Sequence, residues 1–129
     1  MNILQSIYFN LQNGEGFSVN ADVSSIDKLS VYTGGGYAVG GATGAPIIKN
    51  NEDLSWIQFT HAFARLVGLS KSIEGRCVIG GWVDESTSLA YLELSNVTQS
   101  LQKALDLANE RGELAIFDFG NLEEIRIKR

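Results

Sequence analysis

The chain has little of several residues that would narrow its chemistry. Cys77 is the only cysteine in 129 residues, so an internal disulfide is excluded. A reducing interior is the simpler home for such a chain, and a cytoplasmic location is expected. His61 is the only histidine, which leaves no second imidazole to complete a zinc set; no metal is expected. A Cys77–His61 nucleophilic pair would need an accessible thiolate. The strand pattern around Cys77 buries it instead, and buried thiols are inert. No apolar run approaches the ~20 residues that cross a bilayer, so no membrane partner is expected. The opening Met1-Asn2-Ile3-Leu4-Gln5 lacks the basic start and cleavage site of a signal peptide. Basic residues are also scarce, ten against fifteen acidic, for a net charge of −5. Gripping a phosphate backbone takes clustered Lys and Arg, so direct nucleic-acid binding is not expected.

What is present fits one domain over residues 1–129. A chain of this length buries roughly two-thirds of its unfolded surface and needs no staple. The hydrophobic content of 44% and charged content of 19% suit a soluble globular protein. Mild acidity serves solubility first. Its sharper reading is an acidic surface aimed at a basic partner, as in a nucleic-acid mimic.

Periodicity predicts the elements. Ile3, Ile7, Phe9 and Leu11 alternate with Asn2, Ser6 and Asn10, which predicts a half-buried strand with Leu4, Gln5 and Tyr8 as exceptions. Asn13-Gly14-Glu15-Gly16 turns the chain into Phe17-Ser18-Val19-Asn20, its expected hairpin partner. Gly34-Gly35-Gly36 precedes a short strand at Tyr37-Ala38-Val39, closed by Gly40, Gly41 and Gly44. Ile47-Ile48 adds an edge strand after Pro46, the only proline. A helix capped by Asn51 or Asp53 carries Trp56, Phe59, Phe63 and Leu66 as a core stripe and stops near Gly68. Arg76–Val83 and Leu89–Ser95 form a hairpin around residues 84–88. Asn96 and Gln99 read as a capping box for a second helix, with Leu101, Ala104, Leu105 and Ala108 buried and Gly112 as its stop. Leu114–Phe119 is a buried strand and Glu124–Lys128 its return. The expected class is α+β: a mainly antiparallel sheet with two packed helices. The N-terminal strand and the C-terminal hairpin both offer sheet edges, so a homo-oligomer is expected.

The candidate chemistry is thin. Residues 34–44 are glycine-rich but lack the Lys-Ser/Thr ending of a phosphate loop. They also lack the strand–glycines–helix order of a dinucleotide fold. Tight turns explain them better. The carboxylates of Asp84, Glu85, Glu93 and Asp118 fall on strands or strand ends, where two could serve as general acid and base only if the fold brings them together. One set of residues suits an anionic, base-containing ligand. Trp82 and Phe17 offer stacking surfaces. Asp84 and Asp118 offer acceptors. Arg111, at a helix C-terminus, offers a cation. Each alone is better explained as core, turn or helix-end charge.

Several stretches also carry a resemblance: Gly16-Phe17, Gly36-Tyr37-Ala38-Val39, Gly80-Gly81-Trp82-Val83-Asp84, Tyr91-Leu92-Glu93-Leu94-Ser95 and Ala115-Ile116-Phe117-Asp118. In this order they resemble a recurring type of small uncharacterised protein of phages and mobile elements. Proteins of similar size and order include the anti-Thoeris phage sponges, which sequester cyclic ADP-ribose signals without cleaving them. The resemblance implies a non-enzymatic, cofactor-free counter-defence protein that holds a small nucleotide-derived signal; the residues whose chemistry suits such a ligand are Phe17, Trp82, Asp84, Arg111 and Asp118. The chain departs from the pattern at Glu113, where a glutamine often stands, and by its N-terminal segment. The alternative is an acidic protein-directed inhibitor, such as an anti-CRISPR or immunity protein acting on a host defence protein. A small hydrolase using paired carboxylates is a third reading, which the spacing does not support.

Overall fold

In the computed structural model, the described residues are 2–21, 28–43, 47–50 and 53–128. They form an α+β fold with three helices and a seven-stranded sheet. The helices are α1 (Ile3–Gln12), α2 (Trp56–Ser70) and α3 (Leu101–Arg111). The strands are β1 (Phe17–Asn20), β2 (Tyr37–Val39), β3 (Ile47–Asn50), β4 (Cys77–Asp84), β5 (Leu89–Thr98), β6 (Ala115–Asp118) and β7 (Glu123–Arg126). The expected class holds, and the helix count rises from two to three.

The added helix overturns the expected N-terminal strand. Ile3, Ile7 and Leu11 are spaced by four, which satisfies both a strand and a helix period. Leu4 and Tyr8, exceptions to alternation, decide the matter. Leu4, Ile7 and Leu11 are buried together on one helical face. Asn2 and Gln5 close a reciprocal cap: Asn2 Oδ1 accepts the Gln5 N–H at 2.8 Å, and Gln5 Oε1 accepts the Asn2 N–H at 3.0 Å. The Tyr8 hydroxyl and the Gln12 amide both donate to the Leu54 carbonyl, at 2.8 and 3.0 Å, and so tie α1 to the start of α2.

Two other helix starts move as well. Ser55, not Asp53, caps α2, in a capping box with Gln58. Asn51, Gly44 and Pro46 lie outside the described residues. The helix runs through Gly68 to Ser70, whose hydroxyl donates to Val67 O and Ala21 O. Ser100, not Asn96, caps α3, because Asn96 is still part of β5. Gly112 ends α3 in the left-handed region, as expected.

All the strand pairs are antiparallel, in the order β1-β4-β5-β2-β6-β7. β1 pairs with β4 rather than with an N-terminal strand. β4 pairs with almost the whole of β5. The other side of β5 is shared: β3 pairs with Leu89–Leu92 and β2 with Asn96–Thr98. All three helices lie on one face. There α1 and α2 enclose Leu4, Ile7, Leu11, Phe59, Phe63, Ile79, Leu92 and Leu94. α3 covers Val39 and Ile116 with Ala104 and Ala108. Leu105 is only partly buried and Leu101 exposed, so the stripe is narrower than expected.

The outer edge of β1 is covered by a short crossing segment. Asn20 N–H donates to Ser30 O at 2.9 Å and Tyr32 N–H to Ser18 O at 3.0 Å. The expected N-terminal edge for oligomerisation is thus absent. β7 remains an edge, with Glu123, Glu124 and Arg126 exposed along it. Such charge discourages strand addition.

Phe59, Phe63 and Leu66 are buried as expected, while Trp56 at the start of the stripe is 39% exposed. Phe63 contacts Phe59 and Phe17 by ring packing. Phe63→Ala should lower unfolding free energy by about 3–5 kcal/mol in urea denaturation, because truncation leaves a cavity among these rings. A variant as stable as the parent would contradict this packing.

Candidate functional site

The Gly80-Gly81-Trp82 run serves both faces of the sheet. β4 alternates, so Gly81 faces the helices while Gly80 and Trp82 face away. The Phe17 ring lies across Gly81, where any Cβ would collide with it. Phe17 then packs edge-on to Phe59 and against Phe63. It is a core residue on the helix side, opposite to Trp82. A Cβ at Gly80, by contrast, would meet only Phe17 O at 3.7 Å, an ordinary contact. Packing does not require glycine there. Its effect is a bare strip of backbone beside Trp82.

Trp82 pairs across the sheet with Tyr91. Their rings stack with centroids 4.2 Å apart and planes 6° from parallel. Trp82 remains 48% exposed. On its β1 side the neighbour is Gly16, which has no side chain; a Cβ there would lie 3.9 Å from the Trp82 Cβ. Among the described residues no helix covers this end of the face. The other end is closed by Tyr32, which packs on Phe119 at 4.6 Å and joins Ala38 and Val78 in a small cluster. The result is a shallow platform with an aromatic step, Trp82 and Tyr91, above a floor of Gly80 and Ser18.

The remaining expected site residues are not brought to this platform. Asp84 is close in sequence, but Ser86 holds it: Oδ1 accepts the Ser86 N–H at 3.0 Å and the Ser86 hydroxyl at 2.8 Å. These bonds to Ser86, its hydroxyl first, hold the carboxyl below its ordinary pKa. Asp118 is buried and bound within its own turn, accepting from Gly120 N, Asn121 N and Asn121 Nδ2. Arg111 donates to Val39 O at 3.2 Å, to Gly40 O at 2.9 Å and to Asn96 Oδ1. It ties α3 to the point where β2 ends. Of the residues expected to share a pocket, Phe17, Trp82, Asp84, Arg111 and Asp118, only Trp82 stands on this platform, beside Tyr91, which the sequence reading did not single out.

The signal for Tyr91 was hairpin register. A five-residue turn over 84–88 would set Trp82 opposite Ala90 and send Tyr91 to the other face. The observed turn pairs Asp84 with Leu89, and Trp82 falls opposite Tyr91. One residue of turn length hid the pair.

The other candidates resolve plainly. His61 is exposed on α2, whereas Cys77 is buried beside Asn96 Nδ2 at 3.9 Å and Gly75 O at 4.0 Å. Among the described residues no group of three or more His, Cys, Asp or Glu stands together to hold a metal. No described helix is long and apolar enough to cross a membrane. Comparison with protein-family models, curated proteins and solved structures gives no match.

Glu93 lies beside the platform floor, paired across from Gly80. Its carboxyl sits in the gap that β2 and β3 leave along β5. Burial raises its pKa, the neighbouring Glu113 raises it further, and the Gly41 N–H and Arg111 oppose the rise. A raised folded-state pKa means that the native state holds this proton more tightly than the unfolded chain. The stability it contributes is full below the ordinary glutamate pKa and lost as pH rises through the raised value. Ionised Glu93 therefore costs stability at neutral pH. Glu93→Gln should melt above the parent at pH 7.5, and the gap should narrow as the pH falls through and below the ordinary glutamate pKa. Melting curves with a gap that is constant, or that widens in acid, would contradict this.

Proposed function

We propose that the protein is a binding module that holds a small nucleotide-derived ligand on the open sheet face and sequesters it rather than turning it over. The cyclic ADP-ribose type of signal, and a counter-defence role of the phage kind, come from the sequence resemblance. The observation that carries the binding reading is the Trp82–Tyr91 stack, outward on a face left bare by Gly80. A ring already held in place loses little freedom when a base is laid against it. Base stacking on an aromatic side chain contributes about 1–3 kcal/mol. Ser18 and Glu93 flank the floor and supply a hydroxyl and a carboxyl for hydrogen bonds. A second reading, an acidic inhibitor of a protein target, is supported by the net charge of −5 and by Glu123 and Glu124 on the β7 edge.

The test is calorimetry against cyclic ADP-ribose derivatives, ADP-ribose and cyclic dinucleotides, with chromatography of the ligand recovered after heat denaturation. Trp82→Ala should weaken binding about ten-fold or more with the fold intact. Gly80→Val should fold as well as the parent, since a β-branched residue suits a strand, yet weaken binding by filling the floor. The recovered ligand should be unaltered. Unchanged affinity in both variants would overturn the site, and an altered ligand would overturn sequestration. Absence of binding across the set would favour the protein-directed reading.

A further inference from the structure

Trp82 and Tyr91 stand on neighbouring strands and stack face to face, so the outer face of the Trp82 ring turns toward β1. The β1 position beside it is Gly16, which has no side chain. A slot one strand wide therefore lies against the ring, with the backbone of Gly16 beneath it. Carboxylates stand around this slot. Alternation puts Gly80, Trp82 and Asp84 on one face, with Glu93, Tyr91 and Leu89 as their partners. Asp84 is one position outward from the aromatic step and Glu93 one position inward, each about 7 Å along the strands. Glu15 is exposed immediately before Gly16. Asp84 and Glu93 are both seated: Ser86 holds Asp84, and a Cβ at Gly40 would collide with the Glu93 carboxyl that fills its place. No Lys or Arg occupies a register position on this part of the face. β1 contributes Gly16 and Ser18, and β3 brings Ile48 and Asn50 opposite Tyr91 and Leu89. Lys49 pairs with Ala90, a position of the helix side. Arg76 precedes β4 at its far end, and Arg111 is engaged with the Val39 and Gly40 carbonyls.

We infer, resting on the ligand-binding role proposed for this face, that the base it holds is a flat heteroaromatic ring made cationic by alkylation at a ring nitrogen. Any phosphate of the ligand points away from the sheet. A cation laid on a tryptophan face is attracted by the ring quadrupole, beyond the stacking that a neutral base would gain. The carboxylates of Glu15, Asp84 and Glu93 add to that attraction, and they would oppose an anion in the same place. A phosphate set against the slot would meet these acids with no cation in register to offset them. Shape selects a ring over a compact ammonium. One wall is the flat face of Trp82, and the floor beside it is bare backbone at Gly16 and Gly80. A planar group covers both surfaces, whereas a tetrahedral one touches each at a point.

The experiment is calorimetry on the full chain at pH 7 with two isomeric nucleosides, 1-methyladenosine and N6-methyladenosine. They contain the same atoms and no phosphate, but at this pH the first is a cation and the second is neutral. The parent should bind 1-methyladenosine about three-fold or more tightly than its isomer. The triple variant Glu15→Gln, Asp84→Asn, Glu93→Gln should lose most of that preference. The amide at position 84 keeps an acceptor for Ser86, so the turn survives. Asp84→Asn alone should reduce the preference and decides the matter if the triple variant loses its circular dichroism. Equal affinities in the parent, or a tighter neutral isomer, overturn the cationic base and leave the platform standing as a binding site. A preference undiminished in the charge-neutralised variants overturns it as well. Binding of neither isomer, or binding that Trp82→Ala does not weaken, overturns the binding role of the platform and the cationic base together.

Discussion

The fold depends on the hydrogen-bond ladder of β5. This strand pairs with β4 on one side, and on the other with β3 along its first part and with β2 along its last. Two partners on one side leave a gap in between, at residues 93–95. Unpaired backbone in a sheet interior is costly, so the gap has to be closed by other groups. Ala42 N–H donates to Leu94 O at 3.3 Å, and Arg111 reaches from the end of α3 to the Val39 and Gly40 carbonyls and to Asn96. Glu93 fills the gap from the opposite face, where its carboxyl is partly desolvated. Its position in this gap accounts for the raised pKa of Glu93.

The same ladder separates the two faces. Even and odd residues of β4 and β5 go to opposite sides, so the helix side collects Ile79, Leu92 and Leu94 and the other side collects Gly80, Trp82 and Tyr91. Gly81 is glycine because the Phe17 ring needs its space. Gly80 is glycine without such a need. A large exposed aromatic beside an undemanded glycine costs β-propensity and leaves apolar surface in water. A surface that only had to be stable would gain from a β-branched residue at 80. The contrast between two adjacent glycines is what supports the proposed binding face.

Much of the chain was legible from its periods. The α2 stripe, the β4–β5 hairpin, the β6–β7 return and the Gly112 stop were all readable, because each has a run long enough for one period to dominate. The N-terminal helix was not. A spacing of four fits both alternation and a helical turn, and only the Asn2–Gln5 reciprocal cap and the burial of Leu4 separate them. The dispersal of the candidate site residues has a different reason. Residue type suggested Arg111, Asp84, Asp118 and Phe17, but each had a nearer structural partner that sequence spacing could not reveal. Arg111 found carbonyls about seventy residues away. Asp84 and Asp118 were taken by their own turns. Trp82 stands half-exposed on the open face, stacked on the Tyr91 ring.

Energetic scale assigns roles within the platform. Stacking provides about 1–3 kcal/mol, whereas a micromolar complex needs about 8 kcal/mol. On the proposed reading the aromatic step would orient a ligand without by itself holding it. The balance would come from polar atoms around the floor, among them the Ser18 hydroxyl and the Glu93 carboxyl. Of these, Glu93 is the one that titrates. With its pKa raised, it changes between acceptor and donor closer to neutral pH than an ordinary glutamate does. A ligand edge rich in N–H groups favours the ionised form and lowers that pKa on binding. An edge of bare acceptors favours the protonated form and raises it. The pH dependence of affinity thus reports the hydrogen-bonding character of the ligand edge that meets Glu93, and it does so before the ligand itself is identified.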